Sequence, residues 1–257
     1  MEYDRFAEIY DVWTDTASST SPNLAFYLDA YTRASGLVVE LGVGDGRIAL
    51  AAARRGRAMT GVDLSAVMLE RCRVRAEQGG LSSLVTLIEA DFRTFVLPEP
   101  ASLITLPYHS LGHLTTLDAK RDAIRHIHGQ LAPGGHFIFD DFLMTPARLT
   151  YMRQVQLRAA YQTPHGRDAL LWVTSLVDEP TQAMRVVTWE DELDGQGVLL
   201  RRQYRPLSLS WLQPDQARTL LEEAGFTVEA CYGDFSRTAF DPAQADEQVW
   251  VARKRQA

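Results

Sequence analysis

From Leu37 onward, short apolar runs alternate with stretches whose apolar residues recur every three or four positions. Leu37–Leu41, Ala58–Val62, Leu84–Glu89, Ser102–Leu106 and His136–Asp140 read as strands. The first is apolar on both sides of its pleat, as a central parallel strand is. Gly46–Arg55, Ser65–Glu77 and Asp118–Leu131 read as helices; Gly56 closes the first and Pro133-Gly134-Gly135 stops the third. Such alternation implies a parallel sheet joined by right-handed crossovers.

The period then changes to two. Leu170–Val177, Met184–Glu192, Val198–Pro206 and Leu207–Leu212 alternate in polarity. Glu179-Pro180-Thr181 and Asp194-Gly195-Gln196-Gly197 punctuate them as hairpin turns, which predicts an inserted antiparallel meander. A helix over Asp215–Ala224, capped by Gly225, precedes two last strands, Thr227–Tyr232 and Gln248–Ala252. Upstream of Leu37, helical patterns at Asp4–Tyr10 and Leu24–Ala34 flank a polar loop, Thr14–Asn23. The aromatics there (Tyr3, Phe6, Tyr10, Trp13, Phe26, Tyr27, Tyr31) read either as a staple onto the core or as a lid.

The expected architecture is therefore α/β: a Rossmann-like sheet with helices on both faces and an inserted β-meander. Its expected divisions are N-terminal aromatic lid helices at 1–36, a nucleotide-type core at 37–145, an inserted substrate or lid region at 146–212, and a returning helix with two strands at 213–257.

Composition narrows the partners. With 257 residues and 46% apolar content, the chain has enough material for one sizeable core. A formal net charge of -7 disfavours nucleic acid and anionic membrane. The basic clusters at Arg54–Arg57, Arg71–Arg75 and Arg253–Arg255 read as solvated faces or tail. Cys72 and Cys231 lie far apart without metal-type neighbours and read as buried free thiols. The N-terminus shows no signal-peptide pattern, so the cytoplasm is the expected location, with a monomer or homodimer as the expected form.

Candidate chemistry concentrates in Leu37-Val-Val-Glu-Leu-Gly-Val-Gly-Asp-Gly-Arg-Ile48. Gly42, Gly44 and Gly46 can take positive φ and let a ligand lie on the backbone. The dinucleotide fingerprint spaces its glycines as G-x-G-x-x-G, and here Arg47 stands where its last glycine would be. Glu40 and Asp45 would repel a pyrophosphate, but not a ligand bearing an ammonium and a sulfonium, as S-adenosylmethionine does. Asp63, at the end of the second strand, suits ribose hydroxyls; its other reading is a carboxylate at a helix N-terminus. Asp91 and Phe92 could grip an adenine through its exocyclic amine and its ring.

The fourth strand delivers Pro107-Tyr108-His109-Ser110-Leu111-Gly112-His113-Leu114 beside the first, at the crevice of a doubly wound sheet. His126 and His128 read as surface residues of the following helix. Asp140 and Asp141 are the nearest approach to a magnesium site, and no metal is expected.

Glu40-Leu-Gly-Val-Gly-Asp-Gly46, Val62-Asp-Leu-Ser65, Ala90-Asp-Phe92 and Leu131-Ala-Pro-Gly-Gly135 together resemble the class I S-adenosylmethionine-dependent methyltransferases, over nearly the whole chain. That resemblance implies a seven-stranded sheet with its last strand antiparallel. It also implies a cofactor site of Tyr10, Trp13, Glu40, Gly42, Gly44, Arg47, Asp63, Leu64, Met68, Asp91, Phe92 and Leu106, with S-adenosylhomocysteine as product.

Tyr3-Asp-Arg-Phe-Ala-Glu-Ile-Tyr-Asp11 and Ser110-Leu-Gly-His-Leu114 look like bacterial small-molecule N-methyltransferases, including those for amino sugars and glycine-type amines. This narrower resemblance implies a small-molecule substrate contacted by His113 and by Tyr3 or Tyr10; Tyr108, at the crevice after the fourth strand, is a further substrate candidate. Asp140-Asp-Phe-Leu-Met-Thr-Pro146 is similar to toxoflavin-type azapteridine N-methyltransferases of toxin and antibiotic biosynthesis. Trp189 in the meander could stack on a flat substrate. His113 is the first choice as base or orienter and His109 the second, with Tyr108 beside them. A NAD-dependent oxidoreductase and a cofactor-binding module without activity are the competing classes.

Overall fold

The structure, a computed structural model, describes residues 2–16 and 20–256, and of Glu2, Tyr3 and Thr20 the backbone alone. In chain order the elements are helices α1 (Glu2–Phe6), α2 (Tyr10–Asp15) and α3 (Thr20–Arg33); strand β1 (Val38–Leu41), α4 (Ala49–Ala53), β2 (Met59–Asp63), α5 (Ala66–Gln78), β3 (Val85–Glu89) and β4 (Ala101–Leu106). There follow α6 (Leu117–Gln130), β5 (Leu131–Phe142), α7 (Pro146–Met152), β6 (Gln156–Gln162), β7 (Asp168–Asp178), β8 (Ala183–Leu193), β9 (Leu199–Ser210), α8 (Pro214–Glu223), β10 (Phe226–Tyr232) and β11 (Glu247–Lys254). They fall into two compact units: Met1–Thr20 with Met144–Ser210, and Ser21–Leu143 with Trp211–Ala257.

The larger unit is a seven-stranded sheet in the order β10-β11-β5-β4-β1-β2-β3. Strands β1 to β5 pair in parallel, and β11 runs antiparallel to both its neighbours. The central strands β1 and β2 are buried at every position, which is why their apolar runs lack alternation. One apolar cluster gathers Val39, Leu41, Ile104, Ile124, Phe137 and Leu220; another gathers Val38, Ile48, Ala49, Tyr27 and Val249. Strand order reverses between β1 and β4, so the carboxyl ends of those strands open a crevice.

The smaller unit is a four-stranded antiparallel sheet, β6-β7-β8-β9, with α1, α2 and α7. Its buried face holds β8's acids among arginines. Arg205, 1% exposed, donates from Nη2 to Glu8 at 2.8 Å and from Nε to the Arg5 carbonyl, fastening α1 to β9. Arg202 grips both oxygens of Asp191 at 2.6 and 2.7 Å. The Arg158 guanidinium lies 4.6 Å from the centre of the Trp13 ring, fastening α2 to β6.

Several elements depart from the sequence expectation. The polar segment Thr14–Asn23 is largely helical where it is described: Thr14 and Asp15 end α2, and Ser21 to Asn23 belong to α3. Residues 17–19 of that expected loop lie outside the described residues. Val198–Pro206 and Leu207–Leu212 merge into one strand, β9, through Pro206. β9 is an edge strand, where the N–H that proline lacks is not needed by a second neighbour. β5 begins at Leu131, ahead of the expected His136. His126 and His128 are half-buried: the first meets the Phe95 carbonyl at 2.6 Å, and the second packs edge-on against Phe226.

Candidate active site

The glycine turn leaves β1 with Gly42, Gly44 and Gly46 all at positive φ, from 56° to 86°. An added Cβ would strike neighbours at two of them. At Gly42 it would lie 3.1 Å from Ser110 Oγ, and at Gly46 2.6 Å from Cys72 Sγ. The first contact brings the segment after β4 onto the turn; the second packs the turn against α5.

Four carboxylates surround this turn, and each has a different setting. Asp63 accepts from the Gly44 N–H at 2.8 Å and from the Ser65 N–H at 2.9 Å, tying β2 to the turn and to the start of α5. Glu40 is 3% exposed and accepts from the Tyr31 hydroxyl at 3.0 Å, which in turn lies 2.6 Å from Thr105 Oγ1. Burial pushes the Glu40 carboxyl up to about 8, against the lowering effects of Tyr31 and Arg47.

Asp45 is turned toward α5, where Arg75 and Arg71 lie at 2.7 and 3.9 Å. The Arg71–Arg75 cluster, read from sequence as a solvated face, therefore compensates a buried acid. Asp91 is gripped by Arg93 through both oxygens, at 2.9 and 2.6 Å, and this side-chain pairing holds its pKa low. Of the carboxylates expected to shape the turn's charge, Glu40 is thus the buried one whose charged form is disfavoured.

Phe92 lies 3.5 Å from a Cβ built on Gly42, so it borders the same turn. Leu106 ends β4 and is fully buried. Leu64 is exposed, while Met68 is buried in the first turn of α5, its N–H capped by Ser65 at 3.2 Å. Arg47 donates to Asn23 Oδ1 at 2.7 Å and stands 5.5 Å from the Tyr108 ring centre.

Tyr108 and His109 both sit in the left-handed region, at φ 62° and 56°. Their consecutive N–H groups converge on the Asp140 carboxylate, at 3.0 Å to Oδ1 and 2.9 Å to Oδ2. Oδ1 also accepts from the Tyr27 hydroxyl at 2.6 Å. The His109 ring stacks on Phe142 with centroids 3.8 Å apart, and its Nε2 lies 2.8 Å from Glu247. Burial alone would lower the His109 pKa, but Glu247 and the charges of Asp140 and Asp141 outweigh it and raise it. His109 is therefore an anchored, buried group. His113 ends the short 3-10 turn Ser110–His113 and is exposed.

Asp140 and Asp141 accept hydrogen bonds from backbone: Tyr108 and His109 on the first, Phe142 and Leu212 on the second. Among the described residues no metal-type cluster of acids, histidines and cysteines occurs.

The other sequence candidates belong to the smaller unit. Tyr10 is 8% exposed in α2, and Trp13 lies under Arg158 and edge-on to Phe6 at 5.2 Å. Trp189 is the centre of a cross-strand row, stacked 6.3 Å from Trp172 and tilted against Tyr204 at 6.1 Å. The Tyr3 side chain lies outside the described residues. Sequence reasoning overlooked Asn23, Tyr27, Tyr31, Thr105, Ser110 and Glu247. A hydroxyl or amide on an α3 face that is otherwise buried (Phe26, Leu28) was the available signal for the first three.

Comparison with known proteins agrees with the fold. Residues 38–135 match the methyltransferase domain family. The chain is similar to an uncharacterised methyltransferase of Geobacillus kaustophilus (strain HTA426), 33% identical over 142 residues, a match covering 54% of this chain and 61% of that one. The chain thus spans about three fifths of the length of that relative. Among solved structures it is similar to the CcbJ methyltransferase of Streptomyces caelestis, with a TM-score of 0.79, 24% identity and 96% of each chain covered. It is also similar to the sugar N-methyltransferase KedS8 of a Streptoalloteichus species, with a TM-score of 0.73, 16% identity, and 99% of this chain and 93% of that one covered. At these identities the structural likeness is one of fold, a Rossmann-like methyltransferase sheet.

Proposed function

We propose, from the match of residues 38–135 to the methyltransferase domain family, that the protein transfers a methyl group from S-adenosylmethionine to a nitrogen of a small molecule. One observation supports this above the others: Glu40, the positive-φ glycines, Asp63 and the segment Tyr108–His113 converge at one edge of one sheet. A buried carboxyl beside a backbone stripped of Cβ atoms suits a positively charged, phosphate-free cofactor.

In this reading Glu40 takes the cofactor's ammonium, and Gly42 and Gly44 let it lie against the chain. Arg47 meets its carboxylate, and Asp63 holds the ribose hydroxyls. Leu64, Met68, Asp91, Phe92 and Leu106 bound the adenosine. When bound, the cofactor supplies an already activated methyl group on a sulfonium. The chain's own task is alignment of an incoming nitrogen and exclusion of water. Exposed His113 is proposed to orient the acceptor or take its proton, with Tyr108 beside it. His109, buried against Glu247, serves better as an anchor than as a base.

The fold neighbour KedS8, a sugar N-methyltransferase, favours an amino-sugar amine as the first acceptor to try. A heteroaromatic ring nitrogen of the azapteridine kind is the second. The Asp140–Pro146 likeness behind that second reading rests in part on two aspartates that hold backbone N–H groups, so it carries little acceptor information.

Thermal unfolding separates methyl transfer from the oxidoreductase alternative. S-adenosylhomocysteine at about a hundred times its dissociation constant should stabilise the protein by about 3 kcal/mol, while NAD leaves the melting temperature unchanged. Stabilisation by NAD alone would overturn the reading. Mass-spectrometric detection of a 14-dalton gain on amino sugars, then on nitrogen heterocycles, identifies the acceptor.

A further inference from the structure

The most distorted described backbone in the larger unit is not in the glycine turn. Tyr108 and His109 are two adjacent non-glycine residues in the left-handed region, where a Cβ crowds the following carbonyl. Side chains of this kind stay there only when the surroundings over-determine the conformation. Here the over-determining group is visible. Successive N–H groups form a concavity of the sort that binds anions, and the anion is the chain's own Asp140. Asp140 lies within β5's run of buried residues, Phe137–Asp141, and is itself fully buried. Tyr27 from α3 donates to its Oδ1 at 2.6 Å, which fixes the carboxylate's rotation. The segment so held carries Ser110 onto Gly42 and ends in His113.

Resting on the function proposed above, we infer that Asp140 is a positioning residue: its carboxylate clamps the left-handed Tyr108–His109 pair and thereby aims Tyr108 and His113 at the acceptor. It touches neither cofactor nor substrate. The Glu247–His109–Phe142 contacts are a secondary brace, because they hold the ring at 2.8 and 3.8 Å, while Asp140 holds the backbone N–H groups and meets the ring nitrogen only at 3.6 Å.

The distinction yields a rescue test. In Asp140→Asn one carboxylate oxygen becomes an amide donor that faces an N–H, so one bond is lost and those to the remaining oxygen are no longer charge-assisted. A loss of that class corresponds to about tenfold or more in an equilibrium. Amide hydrogen exchange over residues 107–114 should accelerate by about tenfold, with peptides from β1 and β2 unchanged. In the double variant His109→Gly with Asp140→Asn, glycine adopts positive φ without a clamp. Protection over 110–114 should then recover by about threefold or more relative to Asp140→Asn alone. With an acceptor in hand, kcat should follow the same order, while the affinity for S-adenosylhomocysteine stays within about twofold of wild type.

Unchanged exchange in Asp140→Asn, or a loss that glycine does not rescue, would overturn the clamp. Should Asp140→Asn not fold, His109→Gly alone decides. Retained protection over 110–114 supports the backbone clamp, and a collapse of protection makes the His109 ring the anchor and ends the proposal. These exchange measurements need no substrate. Failure of S-adenosylhomocysteine to bind the wild type would therefore remove the methyltransferase reading and leave the clamp standing.

Discussion

At the scale of single residues, the sheet's carboxyl edge separates groups that hold the chain from groups left accessible. Asp63, Asp140 and Asp141 spend their oxygens on backbone N–H groups, and His109 is wedged between Glu247 and Phe142. His113 is exposed at the end of its turn. Replacing His113 by alanine should therefore cost little stability, because a surface substitution away from caps and core stays within about 0.5 kcal/mol. If His113 takes the acceptor's proton, kcat should fall by about a hundredfold, at the low end of what a positioned acid–base group contributes. The affinity for S-adenosylhomocysteine should remain that of wild type. Steady-state rates with titration calorimetry check this, and an unchanged kcat would remove His113 from the mechanism.

At the scale of elements, α5 links the proposed cofactor edge to the rest of the fold. Ser65 caps it by accepting from the Met68 N–H, and Ser65's own N–H is held by Asp63, which also holds Gly44. The cap therefore orders the glycine turn through one shared aspartate. Ser65→Ala should cost about 1 kcal/mol of stability. It should also weaken S-adenosylhomocysteine binding several-fold if the turn is the seat proposed; intact binding would separate the cap from the site.

This element was legible in the sequence because Val62-Asp-Leu-Ser65 is local: an apolar strand, an acid and a capping serine in a row. The parallel strands were legible for a related reason, since burial on both faces leaves runs such as Val38–Leu41 apolar except for the buried Glu40. β6 was not legible, because Gln156-Leu-Arg-Ala-Ala-Tyr-Gln162 has few large apolar residues and a half-exposed pattern. The hydroxyls of Tyr27 and Tyr31 were equally hidden. Their partners, Asp140, Glu40 and Thr105, come together only when α3 packs on the sheet, and no spacing along the chain encodes that meeting.

At the scale of the whole molecule, this edge fixes how stability depends on pH. Glu40 holds its proton up to about 8 in the folded state, against 4.5 ordinarily. The folded chain therefore binds a proton that the unfolded chain has released across that window. Stability from this group is intact below 4.5, falls as pH rises toward 8 and is level beyond. Asp141, raised to about 6 chiefly by burial, acts in the same direction between 3.8 and 6, and Asp140, also raised by burial, shares its sign.

His109 adds to the same trend: its pKa is raised, so its contribution is present below 6.5 and lost as pH climbs through the higher value. Lys120, lowered by burial to about 8 from 10.5, opposes them only above 8, where stability returns as the unfolded chain gives up its proton. These groups interact, so the protons belong to the cluster as a whole, and its members active between pH 5 and 8 share one sign; His128 in α6, lowered chiefly by burial, opposes them only below 6.5. Urea unfolding of the ligand-free protein should therefore show stability falling from about pH 5.5 to about pH 7.5. Glu40→Gln should remove about 3 kcal/mol of that fall, the worth of one proton over two pH units. A stability that is flat or rising over this interval, or a Glu40→Gln variant with the slope of wild type, would show that the buried carboxyl does not carry the proton. The charge state of the proposed cofactor seat would then have to be sought in Asp45 and its two arginines.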